Sequence, residues 1–280
     1  MALTGATPTR TLRVCALYPE LMNIYADRGN LLVLERRCAW RGIGFELTAS
    51  GFGEALDPEA YDLFYIGGGQ DRDQRLCAED LLLHKRASLH AAAARNAIVL
   101  GVCGGYQLLG HAYAIGEEEI EGVGLLDVRT VREAGPRLIG NVAIEVSLEG
   151  APAPTATASV PAAAAAGPGP DLGPNPGLNP GSRVLAGFEN HGGRTHLGTD
   201  AQPLGRVLRG HGNDGRSGYE GARRGKTIGT YLHGPLLPKN AWLADWLIAT
   251  ALRVAPEELE PLEDALEDEA HRSARCAAGV

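Results

Sequence analysis

Residues 97–102 (AIVLGV) form an unbroken apolar run that meets Cys103-Gly104-Gly105 with no polar residue between. An apolar run of this length reads as a strand covered on both faces, the usual state of a strand inside a parallel sheet. The residues before it carry the alternation that such a sheet needs. Residues 11–18 read as a strand and 29–41 as a helix, while 45–49 and 61–66 read as two more strands. A long helix is expected over 73–94, where Leu76, Leu81, Leu83 and Leu89 recur among polar residues. The expected fold class is α/β, a mostly parallel, doubly wound sheet flanked by helices.

After residue 119 the strand-like pieces become shorter, and they can either extend the same sheet or form an antiparallel flap. Residues 150–182 are rich in Ala, Pro and Gly, with almost no apolar bulk to bury, and read as a disordered surface insertion. Deleting them is expected to leave activity unchanged. A helix is expected at 240–253, packing Trp242, Trp246 and Leu247. One domain thus spans 11–254, and 255–280 is an acidic, partly helical tail whose charged run at 257–269 reads as a solvated face.

Composition narrows the function. Lys+Arg of 26 against Asp+Glu of 34 gives a net charge of −8, and with no basic run this argues against a nucleic-acid partner. No uncharged run of 18 or more apolar residues is present, so no transmembrane segment is expected. No leader with a basic start and a long apolar core opens the chain, and the five cysteines form no C-x-x-C pair. A reduced, cytoplasmic protein is the reading that follows. Cys15, Cys38 and Cys77 lie in apolar segments and Cys276 in the tail, which leaves Cys103.

A nucleophile on a sharp strand-to-helix turn needs very small residues two before and two after it. Gly101 and Gly105 occupy those positions, giving G-x-C-x-G, the thiol counterpart of the G-x-S-x-G elbow. The helix that follows directs its N-terminus at the sulfur, which favours thiolate, and the Gly104 N–H is placed to donate to an oxyanion. The alternative is a buried structural cysteine beside a glycine turn. A second donor is expected from Gly67-Gly68-Gly69, which follows the preceding strand and so ends on the same sheet edge.

The base must come from eight histidines. His84, His90 and His111 fall on expected helices, and His196, His211 and His271 in polar or tail segments. His233 ends the strand-like run Thr227–Leu232 and precedes Gly234-Pro235, which places it at a sheet edge. His191, in Glu189-Asn190-His191-Gly192-Gly193-Arg194, is its rival.

Five segments together resemble the class I glutamine amidotransferases of the cobyric acid synthase-like branch. They are Gly101-Val102-Cys103-Gly104-Gly105-Tyr106-Gln107, Tyr25-Ala26-Asp27-Arg28-Gly29-Asn30, Ile66-Gly67-Gly68-Gly69-Gln70-Asp71-Arg72, Gly187–Thr195 and Gly229–Pro235. Within that branch they look like the glutaminase subunits of lipid II isoglutaminyl synthases. The resemblance spans roughly 12–254 and implies a flavodoxin-like amidotransferase fold. It also implies Cys103 as nucleophile and His233 as general base. L-Glutamine would be held by Arg137 and Gln107, with Gly68, Gly69 and Gly104 lining the oxyanion site. Many class I enzymes carry a Glu two residues after the histidine, but here that position is Pro235. The resemblance points to Asp27 as the orienting acid, with Glu189 as the fallback; a helix N-cap is the other reading of Asp27, and a surface arginine that of Arg137.

Ammonia released in this way needs an activated acceptor. Gly221-Ala222-Arg223-Arg224-Gly225-Lys226-Thr227 misses the P-loop spacing by one residue and leads into a strand, so it reads as a turn. No cofactor or metal is expected in this chain. The resemblance implies a heterodimer with a Mur ligase-like synthetase subunit that binds ATP and Mg. Together they would amidate D-glutamate of the lipid II stem peptide at the inner face of the membrane. Rival readings are amidation of a corrinoid-type acceptor, a stand-alone Cys-dependent γ-glutamyl hydrolase, and a non-catalytic module with a redox-sensing Cys103.

Overall fold

A computed structural model describes residues 10–24, 27–116, 118–151, 178–179 and 181–280. Most of the 150–182 insertion lies outside the described residues, as do Tyr25 and Ala26. The chain runs through β1 (Thr11–Leu17), α1 (Arg28–Trp40), β2 (Gly44–Ser50), β3 (Leu63–Ile66), α2 (Asp71–Asp80), α3 (Arg86–Ala94), β4 (Ile98–Val102) and α4 (Gly104–Leu109). There follow β5 (Ala112–Ile115), β6 (Glu118–Glu121), β7 (Val128–Arg132), β8 (Leu138–Val146), β9 (Arg183–His191), β10 (Gly193–Leu197) and β11 (Gly205–Arg209). The last elements are β12 (Tyr219–Glu220), β13 (Ala222–Arg224), β14 (Thr227–Thr230), α5 (Ala241–Leu252) and α6 (Ala265–Ala278).

The central sheet has the order β13-β14-β4-β3-β1-β2 and is parallel except for β13 at one edge. Apart from that edge strand it is the flavodoxin-like arrangement. β3, β4 and β14 are buried at every residue, as their apolar runs require, whereas the outermost β2 is largely exposed. The loops leaving the C-terminal ends of β1, β3, β4 and β14 therefore gather at one edge, and they carry Asp27, Gly67–Gly69, Cys103 and His233.

Of the strands after residue 119, β13 and β14 extend this sheet and the others do not. β5 to β12 form two further four-stranded sheets, β10-β7-β5-β6 and β12-β11-β8-β9. β8 and β9 pair antiparallel along their whole length, from Leu138–His191 to Val146–Arg183, which brings the loop holding Arg137 beside Asn190.

The expected helix over 73–94 is interrupted between α2 and α3 by a π-helical turn, Leu81–Lys85. The wider turn directs Lys85 inward, where Nζ lies 2.5 Å from Asp80 Oδ2 and 2.8 Å from the Gly51 carbonyl. His111 is not helical either. α4 ends at Leu109 before Gly110, and the His111 ring meets Asp127 Oδ1 at 3.1 Å.

α5 buries Trp242, Trp246 and Leu247 as expected. Most of α6 faces solvent, yet Ala278 is buried and His271 Nδ1 lies 2.8 Å from the Lys239 carbonyl, so the tail folds back onto the domain. No helix among the described residues is long and apolar enough to cross a membrane.

Candidate active site

Cys103 sits at the end of β4 with φ 53° and ψ −105°, a backbone conformation that a side-chain-bearing residue rarely adopts. The glycines on either side are required by contact. A Cβ at Gly105 would lie 2.2 Å from the Ile66 carbonyl oxygen, and one at Gly101 would lie 2.8 Å from the Gly105 carbonyl. Two backbone bonds hold the elbow: Cys103 N–H donates to Thr230 of β14 (2.8 Å), and Gly105 N–H to Gly67 (3.0 Å).

Burial pushes the Cys103 thiol up to about 12, helped by the negative charge of Asp27 and opposed by the Gly104 N–H and Arg137. The six-residue α4 does not overcome that burial, so the resting sulfur is a thiol rather than the thiolate its helix N-terminus suggests. A base is needed to make it nucleophilic.

The glycine loop after β3 meets the elbow directly. A Cβ at Gly104 would lie 3.0 Å from the Gly69 nitrogen and 2.2 Å from Gln74 Nε2, so only glycine lets the two backbones come this close. Gly68 N–H is already committed, donating to Asp27 Oδ2 at 2.7 Å. That leaves Gly104 and Gly69 as the paired N–H groups beside the sulfur.

Asp27 is fully buried and does not cap α1 with its side chain. Burial pushes its carboxyl up to about 7, against the pull of the Gly68 N–H. The structure thus sets Asp27 on the glycine loop. Glu189, the fallback acid, accepts from the His211 and Gly212 N–H groups (2.6 and 2.9 Å) and so holds that turn.

His233 follows β14, is fully buried, and is tied by two backbone bonds to Phe188 of β9 (2.9 and 3.1 Å). Burial, then the positive charges of Lys239 and Arg137, hold its imidazole down to about 4, so it is neutral at pH 7 and can accept a proton. The positive charge of Arg137 reaches Cys103 and His233 alike.

The rival, His191, is braced. Its Nδ1 lies 2.9 Å from the Gly193 carbonyl, and its ring stacks flat on Tyr231 with centroids 3.6 Å apart. His191 lines the pocket over Cys103 together with Gln107, Arg137 and Asn190, whereas the buried His233 is not among the lining residues.

Gln107 faces the pocket as expected, accepting from Gln74 Nε2 (2.9 Å) and donating to the Tyr231 hydroxyl (3.2 Å). Arg137 donates through Nε and Nη2 to Asn190 Oδ1 and carbonyl, both at 2.9 Å.

Sequence reasoning missed Gln74 and Glu220. Gln74 carries a legible signal: it is the uncharged residue in Asp71–Arg75, and Cys77 and Ala78 lie three and four positions on, along one helix face. Glu220 carries none. It is fully buried and accepts from Tyr231 N–H (2.6 Å) and the Thr230 hydroxyl (3.0 and 3.1 Å), gripping the chain between Cys103's backbone partner and His233.

Comparison with known proteins accords with this geometry. The CobB/CobQ-like glutamine amidotransferase domain matches residues 13–241. The chain is 33% identical over 243 residues to the GatD subunit of lipid II isoglutaminyl synthase (glutamine-hydrolyzing) from Streptococcus pneumoniae, covering 86% of this chain and 81% of that protein. The GatD subunit from Staphylococcus aureus is 33% identical over 245 residues, covering 87% and 86%. A chain in the structure of PurLQS from Thermotoga maritima shares the fold, with TM-score 0.51 and 18% identity over 79% of this chain and 87% of that one. The chain belongs to the CobB/CobQ-like glutamine amidotransferase family and, within it, to the group of GatD subunits.

Proposed function

We propose that this chain is the glutaminase subunit of a lipid II isoglutaminyl synthase. It would hydrolyse L-glutamine to glutamate and pass the ammonia to a Mur ligase-like, MurT-type partner. The observation that carries the reading is the Cys103 elbow with the Gly104 and Gly69 N–H groups converging beside it.

His233 takes the Cys103 proton, and Sγ attacks the side-chain amide carbon of glutamine. The oxygen becomes an oxyanion between the Gly104 and Gly69 N–H groups. The C–N bond then breaks, His233 protonates the departing nitrogen, and ammonia leaves a γ-glutamyl thioester on Cys103. His233 next deprotonates a water that attacks the thioester, and glutamate leaves as the proton returns to sulfur. Asp27 holds the glycine loop open to the oxyanion through Gly68, and Arg137 and Gln107 bind the substrate.

The partner would use ATP and Mg to activate D-glutamate of the lipid II stem peptide, which ammonia converts to D-isoglutamine. A heterodimer in the cytoplasm, at the inner face of the membrane, suits that substrate. The test is ammonia release measured with the chain alone and with its synthetase partner, ATP and lipid II. Cys103→Ala should lose at least about 10³-fold in kcat while keeping the fold. Ammonia release retained by that variant overturns the assignment. Full activity on γ-glutamyl peptides without a partner points instead to a stand-alone hydrolase.

A further inference from the structure

Gln74, on α2, is only 3% exposed, yet it lines the pocket over Cys103 beside Gly69 and Gln107. Its Nε2 and the Gly69 nitrogen stand 2.2 and 3.0 Å from one point, the place a Cβ of Gly104 would take. The amide thus lies against the two glycines whose N–H groups serve the oxyanion. A side-chain amide nitrogen carries two N–H donors. One is spent on Gln107 Oε1 at 2.9 Å, and among the described residues the other has no partner. A row of bonds behind Gln107 fixes which way the amide faces. Gln107 Nε2 donates to the Tyr231 hydroxyl (3.2 Å), which meets the Thr195 hydroxyl (2.6 Å), and that in turn meets the Thr130 hydroxyl (2.7 Å). Tyr231 is itself held between the stacked His191 ring and the edge of Tyr106. With Gln107 donating to Tyr231, its Oε1 is left to accept from Gln74, and Gln74 keeps a donor on the Gly104 side.

A buried donor costs free energy while it lacks a partner, and one kept beside a site of developing negative charge gains that partner in the transition state. We infer that the Gln74 side chain is a third donor to the oxyanion, alongside the N–H groups of Gly104 and Gly69. Its free N–H meets the amide oxygen of glutamine as that oxygen takes on charge, and the bond weakens as the carbonyl re-forms in the thioester. Gly104 then has a second reason to lack a side chain, because a Cβ there would overlap the Gln74 amide. This inference rests on glutamine hydrolysis at Cys103.

The test uses the chain with its synthetase partner and measures ammonia release from L-glutamine, together with the rate at which iodoacetamide alkylates Cys103. Alkylation displaces iodide at a saturated carbon and forms no oxyanion, so it reads the sulfur and its elbow without the donor. Gln74→Met keeps the length of the side chain and removes both N–H groups. It should lower kcat by about 10²-fold, as loss of an oxyanion donor does, with the loss lying in kcat more than in KM. Its alkylation rate should match the wild type. Gln74→Glu can still hold Gln107, whose amide turns over to donate to the carboxylate, but it has no donor for the oxyanion. Its kcat should be at or below that of Gln74→Met. Recovery of kcat in Gln74→Glu would limit Gln74 to orienting Gln107 and overturn the inference. Wild-type kcat in both variants overturns it too, as does an alkylation rate in Gln74→Met that falls in step with kcat. Absence of ammonia release from the wild-type complex overturns the proposed function instead.

Discussion

Cys103 and His233 are both held in their neutral forms, the thiol up to about 12 and the imidazole down to about 4, chiefly by burial. Such a pair exchanges its proton only when the site supplies charge to stabilise the ions, and the Gly104 N–H, which already pulls the resting thiol down, is one group that does so. Lys239 acts on His233 from outside the pocket, with Nζ 3.4 Å from where a Cβ of Gly234 would stand. A cation beside imidazole disfavours imidazolium, so removing it raises the imidazole's affinity for protons. Lys239→Met should therefore move the acidic limb of the kcat/KM profile to higher pH. A pH–rate profile that keeps its acidic limb in place would remove Lys239 from this role.

At the scale of elements, β14 is held in place by a buried acid. Glu220, on β12, grips Thr230 and Tyr231, and burial pushes its carboxyl up to about 8 from an ordinary 4.5. The folded protein therefore binds a proton that the unfolded chain releases. The associated stability is fully present below pH 4.5 and is lost as pH rises through about 8. Glutamine can keep an acceptor for Tyr231 N–H and a donor for the Thr230 hydroxyl without this titration. Glu220→Gln should thus resist urea better than the wild type at pH 8, with the gain vanishing near pH 4.5. Equal gains at both pH values would mean that the carboxyl is not the titrating group. Gln74 acts across elements too, tying α2 to α4 through Gln107.

Across the whole molecule, one buried cation joins the two ends of the chain. Arg37 on α1 is 1% exposed and bonds Asp245 on α5 (2.6 and 2.7 Å) and Asp264 just before α6 (2.8 Å twice). Arg41 adds two bonds of 2.9 Å to Asp245. Removing one partner of a buried pair leaves a charge without its counter-ion, and that loss outweighs what the pair itself contributes. Asp245→Asn should destabilise the fold by about 2–4 kcal/mol, read from urea unfolding. A change below about 0.5 kcal/mol would show the cluster to be no more than a surface ion pair.

What the sequence determined by itself is whatever short-range sterics and periodicity encode. The apolar run 97–102, the glycines two residues either side of Cys103 and the Gly-rich loop after β3 locate the sheet, the elbow and the glycine loop that meets it. Each of these follows from a few neighbouring residues. The placement of His233 at a strand end is of the same kind. Only the tertiary structure decided the rest. Asp27 meets Gly68 across 41 positions, and Gln107 meets Tyr231 across 124, so no local pattern records either contact. Burial, another long-range property, turned the expected thiolate into a thiol and set Glu220 beneath β14.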